Sequence, residues 1–171
     1  MRLIIRRGLA AFIDYSFIIL YALLLFGIAT LVGLADAALP PLAGQLLGML
    51  SLTIPAVTCF VLWEKGPYRA TPGKRVMGLV VVSNDPGKHT ADVIRRNILK
   101  FLPWEIAHTG LHWLFYYNRM GADIPLWVMV VLIVPQLIVF VYLLSILLDK
   151  KGRSLYDRWS DTRVMYKANL L

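Results

Sequence analysis

Cysteine and acidic side chains are scarce in this sequence. The single cysteine, Cys59, excludes an intrachain disulfide, and only 10 of the 171 residues are Asp or Glu. Charged residues of both signs make up 16% of the chain, whereas hydrophobic residues make up 58% and the mean hydropathy is +0.66. Soluble domains contain roughly 45–50% apolar residues. The composition therefore excludes an ordinary soluble fold and indicates an integral membrane protein.

The basic residues, which give the chain a net charge of +8, are grouped. Three, eight and six of the 18 Lys and Arg residues lie in segments 2–7, 65–100 and 150–167, and only Arg119 lies elsewhere. Basic blocks that alternate with long uncharged runs are typical of helices that cross a bilayer containing anionic lipids. We therefore expect such a bilayer, and no nucleic acid, as the partner of these residues.

Three segments are long and apolar enough to cross a bilayer as helices. They cover about residues 8–34, 42–63 and 125–148, and a helix needs roughly 20 residues to cross about 30 Å of hydrocarbon. Pro55 and Pro135 lie inside the last two segments. Membrane helices tolerate proline where neighbouring groups satisfy the freed carbonyl, so we expect kinks there and not breaks.

A fourth segment, residues 101–117, is ambiguous. It is rich in aromatic residues but contains Glu105, His108 and His112, so hydropathy alone predicts an amphipathic helix at the membrane surface. With three spans the basic tail would lie outside the cell, whereas four spans place all three basic blocks in the cytoplasm, as the positive-inside rule favours. The prediction is an all-α bundle of four transmembrane helices. Three spans with an interfacial or re-entrant helix are the alternative.

This arrangement makes residues 1–171 a single membrane domain of the inner or plasma membrane. Both termini would lie in the cytoplasm, together with a segment at about 64–100 and a tail at 149–171. Two short runs in these parts, residues 76–83 and 161–166, have the composition and alternation of strands. Because an isolated strand is unstable, we expect the two runs to pair as a small β-hairpin-like element on one side of the membrane.

The first span contains a charged residue, Asp14, seven residues after Arg7. On a helix the two residues share one face. A charge within the hydrocarbon costs roughly 2.5–3.5 kcal/mol on insertion scales, so Asp14 should face protein or a water-filled cavity and have a cationic partner. A snorkelling carboxylate that docks the helix on Arg6 or Arg7 and a functional carboxylate both fit this pattern.

Further acidic residues are predicted at the same level of the membrane. With Asp14 they would form either a cation or proton site or, as is more common, a lattice of salt bridges. The acids are Glu64, Asp149 and Asp157, and the available bases are Arg7, Lys74, Arg75 and Arg158.

The order of these residues resembles that of the RDD family, small multispanning membrane proteins of bacteria named for an Arg before the first span, an Asp within it and an Asp after the last. The resemblance runs from residue 6 to about residue 166, nearly the whole chain, although family members are usually described with three spans. The matching residues are Arg7, Asp14, the Thr71-Pro72-Gly73-Lys74-Arg75 segment with residues 78–82, Arg95-Arg96-Asn97, and Leu155-Tyr156-Asp157-Arg158 ahead of Asp161-Thr162.

The resemblance implies a bacterial inner membrane location and two kinds of function. Some family members have been associated with cation/proton antiport, and others with the regulation of membrane proteases or with assembly. It marks Arg7, Asp14 and Asp157 as family residues and gives no role to the Thr71–Lys74 motif. Glycine and proline there suit a tight turn, and Lys74 with Arg75 suits a phosphate or lipid headgroup. The spacing is not that of a nucleotide-binding P-loop.

Glu105, His108 and His112 follow helical spacing and would lie on one face of the fourth helix. This face has three interpretations, in order of preference: a stripe of packed polar groups, a proton or cation pathway, and a transition-metal site. The metal site would need a further Asp or Glu, since the chain has only one such element.

Gly44 and Gly48 form a G-x-x-x-G pair in the second span, which permits close helix packing within the bundle or in a homo-oligomer. No arrangement of residues indicates a hydrolase, so we expect no enzyme. Three hypotheses remain: cation/proton-coupled transport using monovalent cations and protons, a non-catalytic accessory, assembly or regulatory protein, and a membrane metal-binding protein.

Overall fold

The computed structural model of the protein describes residues 2–34, 37 and 39–169, and helices dominate it. A π-helical turn, Met49–Thr53, joins the second and third helices into one rod, the α2–α3 rod. The elements are α1 (Arg2–Leu31), α2 (Pro41–Gly48), α3 (Ile54–Lys65), α4 (Pro72–Val76), β1 (Leu79–Ser83), α5 (His89–Arg119), α6 (Leu126–Leu148), α7 (Leu155–Trp159) and β2 (Thr162–Tyr166).

Three helices are long and apolar enough to cross a membrane, namely Leu3–Leu31, Pro41–Lys65 and Leu126–Leu148. The three predicted spans are thereby confirmed as apolar helices of membrane-crossing length. Helix α1 differs from the prediction in its bounds, because it begins before the expected residue 8 and ends at Leu31. Arg6 and Arg7 therefore lie on the helix itself and not on a flanking loop.

The ambiguous segment 101–117 belongs to α5, an unbroken helix of 31 residues that contains Pro103. Helix α5 packs closely on α6, where a Cβ atom at Gly110 would lie 2.8 Å from Leu132. It also packs antiparallel along the α2–α3 rod, from Arg96 beside Glu64 at one end to the ring of His112 over Gly44 at the other. The segment thus lies beside a helix of membrane-crossing length.

Pro55 in the α2–α3 rod and Pro103 in α5 each leave a backbone carbonyl without its usual helical donor. Pro55 has no N–H to donate to Ser51, and the Tyr21 hydroxyl donates to that carbonyl instead at 2.8 Å. Pro103 frees the carbonyl of Leu99, which accepts from the Tyr142 hydroxyl at 3.2 Å. An unsatisfied carbonyl in a bilayer costs several kcal/mol, so each tyrosine joins two helices at a point where lipid could not substitute.

The two predicted strands pair antiparallel, with Val81 opposite Val164 and Leu79 opposite Tyr166. The first strand is shorter than expected because residue 76 ends α4 and Gly78 adopts a left-handed conformation at φ +66. Val93 of α5 and Ala10 of α1 pack with the strands in a small core. We call the end of the bundle that carries the sheet, α4 and α7 the charged end.

Candidate functional site: a chain of buried ion pairs at the charged end

Asp14 faces protein and is 2% exposed. Its Oδ2 accepts from the Thr71 hydroxyl at 2.5 Å, and its Oδ1 accepts from the Gly73 amide at 2.8 Å. The Lys74 ammonium lies 3.8 Å away. The cationic partner of Asp14 is therefore Lys74, one of the bases proposed for the lattice, and not Arg6 or Arg7, as one of the two interpretations of Asp14 proposed. Both carboxylate oxygens are bound, so the costly charge is compensated at the point where α1 enters the bundle.

The Thr71–Lys74 motif is the segment on which α1 packs. Thr71 is extended and Pro72 begins α4, a position where its fixed φ suits the first turn of a helix. Gly73 lies against the α1 backbone, so a Cβ atom there would come within 2.2 Å of the Ala10 carbonyl oxygen. The absence of a side chain at Gly73 thus lets α4 approach α1 closely enough for its amide to reach Asp14.

Glu64, the second acid of the cluster, is fully buried at the end of α3. It accepts from the Lys74 ammonium at 2.9 Å, from the Arg96 guanidinium at 2.7 Å and 2.9 Å, and from the Asn97 amide at 2.9 Å. Lys74 is directed inward to this carboxylate, so it is not free for the phosphate or lipid headgroup that the sequence suggested. The neighbouring Arg75 is exposed and stacks on Tyr68, 4.4 Å from the ring centroid.

Asp157, the third acid, is fully buried at the start of α7. It forms a capping box with Ser154, whose amide donates to it at 2.9 Å. Arg96 donates to the carboxylate at 3.0 Å, and Arg7 donates to it at 2.7 Å. Arg7 also donates to the Gly152 carbonyl at 2.5 Å, which ties α1 to the segment before α7.

The electrostatics of Asp157 and Arg96 follow from these contacts. Burial alone would raise the pKa of the Asp157 carboxyl, but the Arg96 and Arg7 guanidiniums and the Ser154 amide outweigh it and lower that pKa. Burial alone would lower the pKa of Arg96, but the Glu64 and Asp157 carboxylates raise it. Both groups are therefore ionised at neutral pH.

Six side chains of alternating sign thus form one continuous chain, which we call the charge network. It contains three carboxylates and three bases, so its formal charge is zero, and it joins α1 to α4, α3, α5 and α7. In order the members are Asp14, Lys74, Glu64, Arg96, Asp157 and Arg7. A buried ion pair adds little over well-packed apolar residues, but removing one partner costs about 3–5 kcal/mol because the other charge stays buried.

The structure brings together all five residues predicted as ion-pair or transport residues, Arg7, Asp14, Glu64, Lys74 and Asp157. A role in transport stays a prediction. The sequence indicates Arg96 and Asn97 only as part of a segment that resembles the family, but both lie on the buried face of α5 and complete the contacts of Glu64. Their helical spacing from Val93, a buried apolar residue three and four positions earlier, is the sequence feature that places them on the buried face.

Three candidates for the lattice lie outside the network, namely Arg75, Asp149 and Arg158. Asp149 pairs with Arg153, four residues along the chain, and the Arg153 amide and guanidinium lower the pKa of the Asp149 carboxyl. Arg158 is exposed. Asp149, at the end of α6, thus pairs with a neighbour in sequence and not with a base of the charge network.

The Glu105-His108-His112 face lies in the middle of α5 and faces the α2–α3 rod. Glu105 accepts from the Thr53 hydroxyl at 2.8 Å, and the His108 and His112 rings lie 4.7 Å apart. One atom of each side chain has no hydrogen-bond partner among the described residues: Oε1 of Glu105, Nδ1 of His108 and Nε2 of His112. The two rings border a cavity of about 370 Å³, the histidine cavity, between α1, α2 and α5.

Gly44 and Gly48 provide the space for these rings. A Cβ atom at Gly48 would lie 2.4 Å from the His108 ring, and one at Gly44 would lie 2.8 Å from the His112 ring. The close packing permitted by the G-x-x-x-G pair is therefore used within this chain, and a homo-oligomer through it stays a prediction. In the described part of the chain, no three His, Cys, Asp or Glu side chains are grouped to hold a metal ion.

Comparison with known protein families gives a match. The model of a family described as the RDD family matches residues 2–161, nearly the whole chain. No curated protein and no solved structure matches the chain. The matched range includes every member of the charge network.

Proposed function

The chain belongs to the RDD family, and from that premise we propose that it is a non-catalytic membrane protein of the accessory, assembly or regulatory kind. In this proposal the charge network is a structural lock, not a pathway for ions. The main support for this proposal is the environment of Asp14. Both of its carboxylate oxygens are bound by protein donors, and its side chain is almost fully buried. A carboxylate that carries cations or protons must exchange its partners with water, whereas both oxygens of Asp14 are held by donors of the Thr71–Lys74 motif.

The proposal includes four spans in a bacterial inner membrane, with both termini in the cytoplasm. Strand β1 precedes α5 and β2 follows α6, and the two strands pair. Helix α6 is of membrane-crossing length, so a chain that crosses on α6 must return on α5 for the strands to meet. This parity argument and the positive-inside rule both support a crossing by α5.

Reporter fusions test the proposed topology. We expect a reporter after residue 169 to give a cytoplasmic signal and a reporter inserted at Gly121, in the short connection between α5 and α6, to give an external one. A cytoplasmic signal at both positions would contradict a crossing by α6, whereas an external C-terminus would contradict four spans.

Ion flux tests the lock against a transport function. Purified protein in liposomes would be compared with empty liposomes for cation flux driven by a proton gradient, in the wild type and in Asp14→Asn. The proposal predicts no flux above empty liposomes for either protein. Flux in the wild type that Asp14→Asn abolishes, with the variant still folded, would overturn it.

The second candidate function is proton-coupled cation transport through Glu105, His108 and His112. The specific observation is that each of these side chains keeps a polar atom without a partner among the described residues, at the level of the membrane-crossing rod and next to the histidine cavity. Under this function the wild type and Asp14→Asn would give equal flux, and His108→Gln with His112→Gln would abolish it. Tyr116→Phe, which alters the same cavity without a titratable imidazole, should leave such flux unchanged.

A further inference from the structure

Helix α1 stands apart from α6 and leaves a crevice in the bundle. Helix α1 packs mainly on α4 and the π-helical turn and makes almost no direct contact with α6 in the described part of the chain. Two cavities occupy the gap. One of about 220 Å³, the polar cavity, lies at the charged end, and one of about 430 Å³, the apolar cavity, extends from it along α1.

The two cavities meet at Tyr15, Lys100 and Val139, which line both. On one side of this junction the polar cavity is bordered by Arg7, Asp14, Lys74 and Arg96 of the charge network. On the other side the apolar cavity is bordered by aliphatic side chains such as Ile18 and Leu111. The two cavities are therefore neighbours, and of the two only the one at the charged end is bordered by the charge network.

Lys100 is a basic residue at the junction that does not belong to the charge network. The three bases of the network are matched by Asp14, Glu64 and Asp157, whereas no described carboxylate lies within ion-pair distance of the Lys100 ammonium. That ammonium lies 4.1 Å from the centroid of the Phe60 ring and 5.2 Å from that of Phe101. Contact with aromatic faces compensates only part of the cost of taking an ammonium out of water.

The geometry points to a binding site for one anionic phospholipid of the surrounding bilayer. Its phosphate would pair with Lys100 at the junction, and one acyl chain would lie in the apolar cavity between α1 and α6. The anion supplies the missing partner of Lys100, and the chain fills apolar space that α6 leaves unpacked. The basic residues of the charge network are already paired, so Lys100 gives the site its preference for an anionic headgroup.

The test is lipid binding to delipidated protein in detergent, measured by native mass spectrometry and by thermal stability. Phosphatidylglycerol is compared with phosphatidylcholine carrying the same acyl chains, in about 1 M ammonium acetate, a volatile salt in which the Debye length of ~3 Å suppresses attraction by exposed charges. We expect one phosphatidylglycerol to bind in preference to phosphatidylcholine. Lys100→Met should weaken phosphatidylglycerol binding at least about tenfold, because the buried phosphate loses its partner.

Two further variants, Lys151→Gln and Val139→Phe, and inorganic phosphate serve as controls for the lipid-binding measurement. Lys151→Gln removes an exposed base near the same end and should keep the preference. Val139→Phe retains Lys100 but narrows the junction and should lose it, so the test does not depend on Lys100→Met folding. The inference is overturned if a folded Lys100→Met keeps the preference, if Val139→Phe keeps it, or if inorganic phosphate stabilises the wild type as much as phosphatidylglycerol does.

Discussion

Arg7 and Asp14 lie about two turns apart on one face of α1 and hold the two ends of a single chain of ion pairs. Asp14 begins the chain beside Lys74 at 3.8 Å, and Arg7 ends it on Asp157 at 2.7 Å. Between these ends the chain leaves α1 and passes through four other elements. Because α1 packs little on α6, these contacts add to the packing of α1 on α4 and on the small core at the charged end.

Arg96 is the central base of the network, and replacing it should be the most damaging single change. Arg96→Met leaves Glu64 and Asp157 buried without their shared partner, so we expect the free energy of unfolding to fall by about 3–5 kcal/mol. Denaturation in detergent measures the loss. Arg95→Met, at an exposed neighbouring position, should change stability by no more than about 0.5 kcal/mol. Equal effects of the two substitutions would contradict a central role for Arg96.

Gly73 should tolerate no side chain. In Gly73→Ala the new methyl group meets the Ala10 carbonyl of α1, so α4 must move and the Asp14 contacts must lengthen. We expect a loss of about 1–3 kcal/mol, typical of overpacking. Gly27→Ala is the matched control, because nothing lies within 4 Å of a Cβ atom there, and it should be neutral or slightly stabilising. A neutral Gly73→Ala would contradict the close approach of α4 to α1.

The spans and the strand pair were predictable because each depends on local composition. An apolar run of sufficient length forms a membrane helix whichever neighbours it packs against. A short β-branched run forms a strand once one other strand is present to pair with it. The partners of the charges were less predictable. The separation of 150 residues between Arg7 and Asp157 carries no local signal, and Arg96 entered the network because α5 places it between two acids from other elements.

The role of the Thr71–Lys74 motif was not predictable for the same reason. Its residues indicate a turn, but the function of that turn depends on the α1 backbone lying against Gly73. The roles of Gly44 and Gly48 likewise depend on which side chains face them. Small residues show that something approaches closely, but not whether it is a second copy or, as here, the histidines of α5.

The Tyr21 and Tyr142 hydroxyls should each contribute to stability through a carbonyl that proline has freed. Tyr21→Phe leaves Ser51 without its donor, and Tyr142→Phe does the same for Leu99. We expect each variant to lose about 1–3 kcal/mol, the cost of a carbonyl left without a donor away from water. Tyr116→Phe, whose hydroxyl has no described hydrogen bond, is the control in the same denaturation series. If all three variants match the wild type, the hydroxyls do not support the prolines.

Asp157 should make the charged end sensitive to acid. The folded protein lowers the pKa of this carboxyl, so the unfolded chain takes up a proton at a higher pH than the folded chain does. The stabilisation is therefore complete above the unfolded pKa of about 3.9 and is lost as the pH falls below it. We expect the unfolding temperature in detergent to fall more steeply below about pH 4 in the wild type than in Asp157→Asn. Parallel curves would contradict this contribution.

A double-mutant cycle between Arg7 and Asp157 tests the lock most directly. Arg7→Gln and Asp157→Asn are made singly and together, and the free energy of unfolding is measured in the same detergent. If the network locks α1 to the rest of the bundle, the two losses are not additive and the coupling energy exceeds about 1 kcal/mol, within the range for residues in direct contact. Losses that add to within about 0.5 kcal/mol, as for distant independent sites, would contradict the account.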